Sequence, residues 1–164
     1  MEALRLWLEQ TFFGEILYTG MMAMVPVVEL RGAIPFGHNV LGLNIWLAAA
    51  AAMVGNLLPI PFVIIYVRRV FAFLRKKIPR LNRAVDRLER KAAGKKDTVN
   101  KYGFWGLCVL VAIPLPGTGA WTGALVAAFM DMRLKKALPA IALGVFIAGA
   151  VVTFLTMGVT AVFS

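Results

Sequence analysis

The sequence predicts an all-α integral membrane protein: an inverted repeat of re-entrant helical hairpin plus transmembrane helix, with a basic cytoplasmic helical linker between the halves. Three observations predict it. Of the 164 residues, 60% are hydrophobic and 16% charged, with a mean hydropathy of +0.79, which excludes a soluble domain. Two long apolar runs, residues 44–67 and 137–162, each follow a shorter apolar segment that is broken by proline and glycine. Positive charge is concentrated in residues 68–101, where thirteen Lys or Arg stand against Asp86, Glu89 and Asp97.

Residues 1–13 read as an amphipathic helix lying at the membrane interface, with Leu4, Leu8 and Phe12 on one face and Glu2, Arg5 and Glu9 off it. Residues 16–28 are apolar but too few to cross a bilayer alone. They run into Glu-Leu-Arg-Gly-Ala-Ile-Pro-Phe-Gly, residues 29–37, which the pattern predicts to be an irregular break. Residues 44–67 are long enough to span, with a kink at Pro59 and Pro61, and end at Arg68 and Arg69. The linker reads as one or two helices broken at Pro79 and Gly94. Residues 102–130 repeat the hairpin design around Ile-Pro-Leu-Pro-Gly-Thr-Gly, residues 113–119. After Arg133, Lys135 and Lys136, residues 137–162 form the second span.

Charge selects the topology. A complete crossing by residues 102–130 would leave Arg133, Lys135 and Lys136 outside, against the positive-inside rule. If the segment dips in and returns, they join the linker in the cytoplasm. The same reading places the first hairpin on the outer face and both termini outside the cytoplasm. One membrane domain follows, with residues 1–67 as first repeat including the amphipathic helix, 68–101 as cytoplasmic linker and 102–164 as second repeat. The expected location is the inner (cytoplasmic) membrane, multi-pass. Irregular backbone at membrane depth must be satisfied by protein or water, so the two hairpin tips are expected to approach each other near the midplane. Gly55 and Gly144 fall at comparable points of the two spans, although the two breaks share no residue pattern.

Charge inside hydrocarbon is costly and marks a pathway, and paired interruptions in two halves point to a transporter site. Glu29 is the predicted proton-coupling group; its plain structural alternative is a permanent ion pair or a helix-end contact with backbone amides. Arg31 keeps its charge and suits an anion or a carboxylate. In an irregular segment the two side chains can face different ways, one for each task. Helix N-termini after Pro35 and after Gly119 would add positive dipole ends. Thr118, Trp121 and Thr122 flank the second break, as hydroxyls for a headgroup or ion and a ring for stacking; each has a plain structural alternative in carbonyl capping or packing. Asn44 and Asn56 are weaker candidates, expected to hydrogen-bond between helices. His38, the only histidine, is a candidate pH sensor.

Several classes are excluded or disfavoured. Cys108 is the only cysteine, so no intrachain disulfide or cysteine metal centre exists, and no metal or other cofactor is expected. No P-loop is present, and no nucleophile accompanies His38, so the chain is not expected to be an enzyme, and an ion gradient must drive any pumping. Beside membrane spans, the basic linker reads as a contact to anionic lipid rather than to nucleic acid.

The two quoted motifs, continued as Gly-Ala-Trp-Thr-Gly through residue 123, resemble the bacterial and archaeal small multidrug export family, and the resemblance covers nearly the whole chain. That family looks like a distant relative of the DedA (VTT-domain) superfamily, whose members share opposed re-entrant hairpins and include carriers of undecaprenyl phosphate. The resemblance implies a substrate site at Arg31, Gly32, Pro35, Pro114, Pro116, Gly117, Thr118, Gly119, Trp121 and Thr122, with Glu29 beside it. DedA proteins typically carry further arginine in the second hairpin; here no charge lies between Lys101 and Asp131, so Arg31 would act with backbone amides. The expected function is a proton-coupled transporter of an amphipathic anionic lipid such as a polyprenyl phosphate. The alternatives are a proton-antiporting exporter of lipophilic cations and a non-transporting scaffold. Expected partners are the bilayer, the amphipathic substrate, protons and a second copy in a homodimer.

Overall fold

The computed structural model describes residues 11–77, 83, 86–87, 90, 94, 102–115 and 118–163, with backbone alone for 74–77 and 163. The expected amphipathic helix at 1–13 lies almost wholly outside the described residues, as do most of the linker and Pro116 and Gly117. The described elements are helical: α1 Phe12–Met24, α2 Glu29–Asn39, α3 Ile45–Leu57, α4 Ile60–Lys77, α5 Phe104–Ala112, α6 Ala120–Phe129 and α7 Leu134–Phe163. They divide into two compact units, Met1–Pro59 with Val145–Ser164, and Ile60–Gly144.

Two helical runs are long and apolar enough to cross a membrane, Ile45–Phe73 with mean hydropathy 2.0 and Leu134–Val162 with 2.4. The first is interrupted by a turn at Leu58 and Pro59, where Pro59 and Pro61 lack the N–H groups that would bond Gly55 and Leu57. Large apolar side chains face outward along these runs, among them Phe62, Phe146 and Phe154. In water such a surface would aggregate; against lipid tails it is solvated. The protein is a membrane protein.

In the first unit α1 packs on α2 and α3, and α2 packs on α3. Gly37 lets the three converge: a Cβ there would lie 2.7 Å from Thr19 Oγ1 and 3.2 Å from Ala48 Cβ. The α2–α3 loop is closed by Leu43 N–H to the Gly37 carbonyl at 3.0 Å and by His38 Nδ1, which donates to the Leu43 carbonyl at 2.9 Å. Asn44 caps α3, accepting from Trp46 N–H at 3.0 Å, as N-cap asparagines do. The C-terminal part of α7 joins this unit through Gly149 against Met53, the Trp46–Phe154 ring pair and a Thr160–Asn39 side-chain hydrogen bond.

In the second unit α6 packs on α4 and α5. Gly123 and Gly144 both sit against Val111, where a Cβ would come within 2.5 and 2.6 Å. Close helix approach through small residues replaces the hydrophobic drive that is missing in lipid. At the far end of α4 the Phe71 ring lies 5.9 Å from Phe129, and Arg68 forms an ion pair with Asp131.

The first break is not where the sequence pattern put it. Residues 29–37 lie inside α2, and the chain turns instead at 25–28, around Pro26. Pro35 removes a single hydrogen bond, the one Arg31 would accept, and the packing of α2 on both α1 and α3 offsets it. The positive dipole end expected after Pro35 is therefore at Glu29.

Candidate functional site

The turn at 25–28 delivers Glu29 as the first residue of α2, with its N–H bonded to the Val25 carbonyl at 2.9 Å. Glu29 has φ +49°, in the left-handed region, a conformation that costs a residue with a Cβ about 1–2 kcal/mol. The residue is nevertheless buried, 3% exposed. Residues two apart on a regular helix do not face each other, yet Arg31 Nη2 lies 3.1 Å from Glu29 Oε2. The left-handed backbone at Glu29 accounts for this, because it redirects the Cα–Cβ bond relative to a helical residue. Of the two arrangements the sequence left open, the side chains facing apart or paired, the structure has them paired. Arg31 keeps 23% of its side chain exposed against 4% for Glu29, so the pair is anchored on the carboxylate side. Gly32 follows, where an added Cβ would meet Val28 Cγ1 at 2.6 Å, and Pro35 lies one turn further along the same helix.

An apolar groove of about 370 Å³ runs between α1 and α3, lined by Ile16, Gly20 and Met24 on one side and Leu47, Ala51 and Leu58 on the other. Its Met24 end is the end of α1 that leads into Glu29. The same unit thus holds an apolar groove and, five residues beyond Met24, a buried carboxylate paired with a partly exposed arginine.

The second hairpin belongs to the other unit. Its loop is tied by Thr118, whose Oγ1 lies 2.5 Å from the Ile113 carbonyl and 2.8 Å from the Leu115 carbonyl and accepts from Leu115 N–H at 3.1 Å. These bonds are the carbonyl-capping use of a threonine. Pro114 lies within the tied segment, between Ile113 and Leu115. Gly119 has φ +117° and starts α6, which only glycine does without strain; the helix N-terminus expected after Gly119 is present. Thr122 is buried and Trp121 half-buried.

A family model described as "Putative small multi-drug export protein" matches residues 29–151, from Glu29 through both hairpin motifs and most of α7. The chain belongs to this family. No curated protein and no solved structure matches it. The family match begins at the residue that carries the buried carboxylate, and it suggests a transporter.

One polar residue stands out that the sequence pattern ranked low. Asn56, on α3, is 0% exposed, and neither its Oδ1 nor its Nδ2 has a hydrogen-bond partner among the described residues. The expected helix-to-helix bond is absent at Asn56, and Asn44 serves as a cap instead. The only sequence signal for Asn56 was an amide within an alanine-rich apolar run. By contrast, Thr19, Thr153 and Thr156 are buried but donate to the carbonyl four residues back.

Proposed function

We propose that this chain exports amphipathic, lipophilic cations across the membrane in exchange for protons, with Glu29 as the shared proton and cargo site. The Glu29–Arg31 ion pair, with its buried carboxylate, in the same unit as an apolar groove carries the reading. In the resting pair the guanidinium occupies the place of a cationic cargo. A proton or a lipophilic cation neutralises the same carboxylate and releases Arg31, whose partial exposure leaves it room to turn away. Proton and cargo then exclude each other, which is the requirement for antiport. An anionic cargo held by Arg31 would instead bind together with the proton, coupling the two in the same direction.

The membrane arrangement proposed with this function is two re-entrant hairpins of opposite orientation. Helices of 13 and 11 residues in the first hairpin and 9 and 10 in the second extend about 20 Å at most, against a hydrocarbon core of about 30 Å. The Arg68–Asp131 pair supports a basic, cytoplasmic position for the end of the second hairpin. The repeat is supported by two glycine contacts: Gly55 against Gly20, and Gly144 against Cys108 and Val111.

A second reading keeps a single-chain anionic lipid as cargo, favoured by the exposed part of Arg31 and by a groove shaped for one chain. Proteoliposomes containing the purified protein separate the two. Efflux of a lipophilic cation that acidifies the compartment the cation leaves, is abolished in Glu29→Gln and survives in Arg31→Ala supports cation antiport. Movement of a polyprenyl phosphate that is lost in Arg31→Ala, with no cation efflux, would replace it with the lipid reading. No transport of either by the intact protein would overturn both.

A further inference from the structure

Asn56 lies at the height of Glu29 in the same unit. Gly37 of α2 meets Ala48 of α3, and the short loop between them makes the helices antiparallel neighbours. Eight residues back along α2 is Glu29, and eight residues forward along α3 is Asn56, each about 12 Å from the contact. Both are on buried faces, Glu29 with Leu30, Ala33 and Gly37, and Asn56 with Ala48, Ala52 and Gly55. The groove gives the same register from the α1 side, since Met24 and Leu58 line it together.

A fully buried primary amide with no partner among the described residues is costly, because its desolvation goes uncompensated, and such groups in native structures need an explanation. A primary amide has a carbonyl acceptor and two N–H donors, and along one edge presents one acceptor beside one donor in a planar fork. Its best match is a neutral carboxylic acid, which presents one O–H donor and one carbonyl acceptor in the same arrangement. An ionised carboxylate accepts only and satisfies just the amide N–H. The ion pair now engages Glu29 with Arg31 and leaves Asn56 idle.

We infer that Asn56 is the positioning residue for the proton-loaded state: Glu29 exchanges Arg31 for Asn56 when it gains a proton. The inference rests on the proposed proton role of Glu29. A hydronium gives its proton to a lone pair of the Glu29 carboxylate and leaves as water. The new O–H then donates to Asn56 Oδ1, and Asn56 Nδ2 donates to the remaining Glu29 oxygen. The Arg31 hydrogen bond to Glu29 Oε2 is given up, and no covalent bond changes beyond the transferred O–H. The titratable groups on the described helices of this unit are few. Arg31 and His38 are the titratable residues of α2, with His38 at the opposite end; Glu15 and Tyr18 are those of α1, toward its start; α3 and residues 145–163 of α7 contain none.

Infrared difference spectroscopy on the whole protein in lipid vesicles tests the inference, with Glu29→Gln used to assign the protonated carboxyl band. In Asn56→Leu the band is expected at higher frequency, because its hydrogen bonds are lost. Its pH midpoint is expected to fall by about one unit, the equivalent of one hydrogen bond. Arg31→Ala is expected to move the midpoint the opposite way, since it removes the partner of the ionised form. Asn56→Leu should also fold at least as stably as the wild type, because the resting amide bonds nothing, and Asn56→Ser provides the same spectroscopic reading with less change in shape. A Glu29 band that titrates unchanged in both Asn56 variants would overturn this inference and leave the proposed function standing. A Leu variant that fails to fold also counts against the idle amide, and the Ser variant then decides the exchange. Absence of any Glu29 band at every pH overturns both.

Discussion

Gly20 and Gly55 meet backbone to backbone: a Cβ on Gly55 would run into the carbonyl group of Gly20. Helices α1 and α3 are therefore held at a separation that glycine alone permits. The second unit contains a counterpart, where a Cβ on Gly144 would come within 2.7 Å of the Cys108 carbonyl oxygen and 2.6 Å of Val111 Cβ. Backbone atoms cannot step aside as a flexible side chain can. Gly55→Ala and Gly144→Ala are each expected to cost about 1–3 kcal/mol, the range for overpacking a close contact. Gly158→Ala is the control: nothing lies within 4 Å of its added Cβ, so the gain in helix propensity should leave stability equal or slightly higher. Thermal unfolding in detergent, followed by the loss of the monodisperse species, reads all three.

These contacts show what the sequence could and could not convey. Hydropathy alone located both long apolar runs, and the pairing of Gly55 with Gly144 was visible as a coincidence of position. Which residues they touch was not, because helix contact in lipid depends on small residues that leave no hydrophobic periodicity. The first break was misplaced for a related reason. Pro35 and two glycines looked like an interruption, but a proline within a helix removes only one bond, and the turn falls at Pro26 instead. The ion pair stayed one alternative among others because Glu29 and Arg31 are two positions apart, and the left-handed residue at Glu29 is what turns them together. No propensity argument assigns that conformation to a glutamate.

The Arg68–Asp131 pair is exposed on both sides and should contribute at most about 1 kcal/mol. Its value is positional. With Cys108 replaced by alanine, single cysteines introduced at Arg68 and at Asp131 are expected to react with a membrane-impermeant maleimide from the same face, the cytoplasmic one. Labelling of the two from opposite faces would mean that residues 102–130 cross the bilayer completely, and the re-entrant arrangement would have to be abandoned.

His38 uses Nδ1 to hold the Leu43 carbonyl across the α2–α3 loop. That bond gives the histidine a structural task as a clamp on the chain that leads into the Asn44 cap. His38→Ala should lower stability by about 1 kcal/mol, the usual net worth of one such hydrogen bond. If the clamp is its whole role, the pH profile of transport in vesicles keeps its midpoint in this variant. A displaced midpoint would restore His38 as a pH sensor.

The groove between α1 and α3 supplies the most direct test of where a cargo's apolar body rests. Ala51 lines it midway, opposite Gly20, so a larger side chain there fills the trough without touching Glu29 or Arg31. Ala51→Leu is expected to reduce export of a lipophilic cation several-fold. Proton uptake by Glu29 should persist, because the carboxylate and its partners are unaltered. The variant thus separates cargo binding from proton loading. Undiminished export in Ala51→Leu, with the protein folded and inserted, would show that the cargo does not use this groove and would confine its site to the charged end at Glu29.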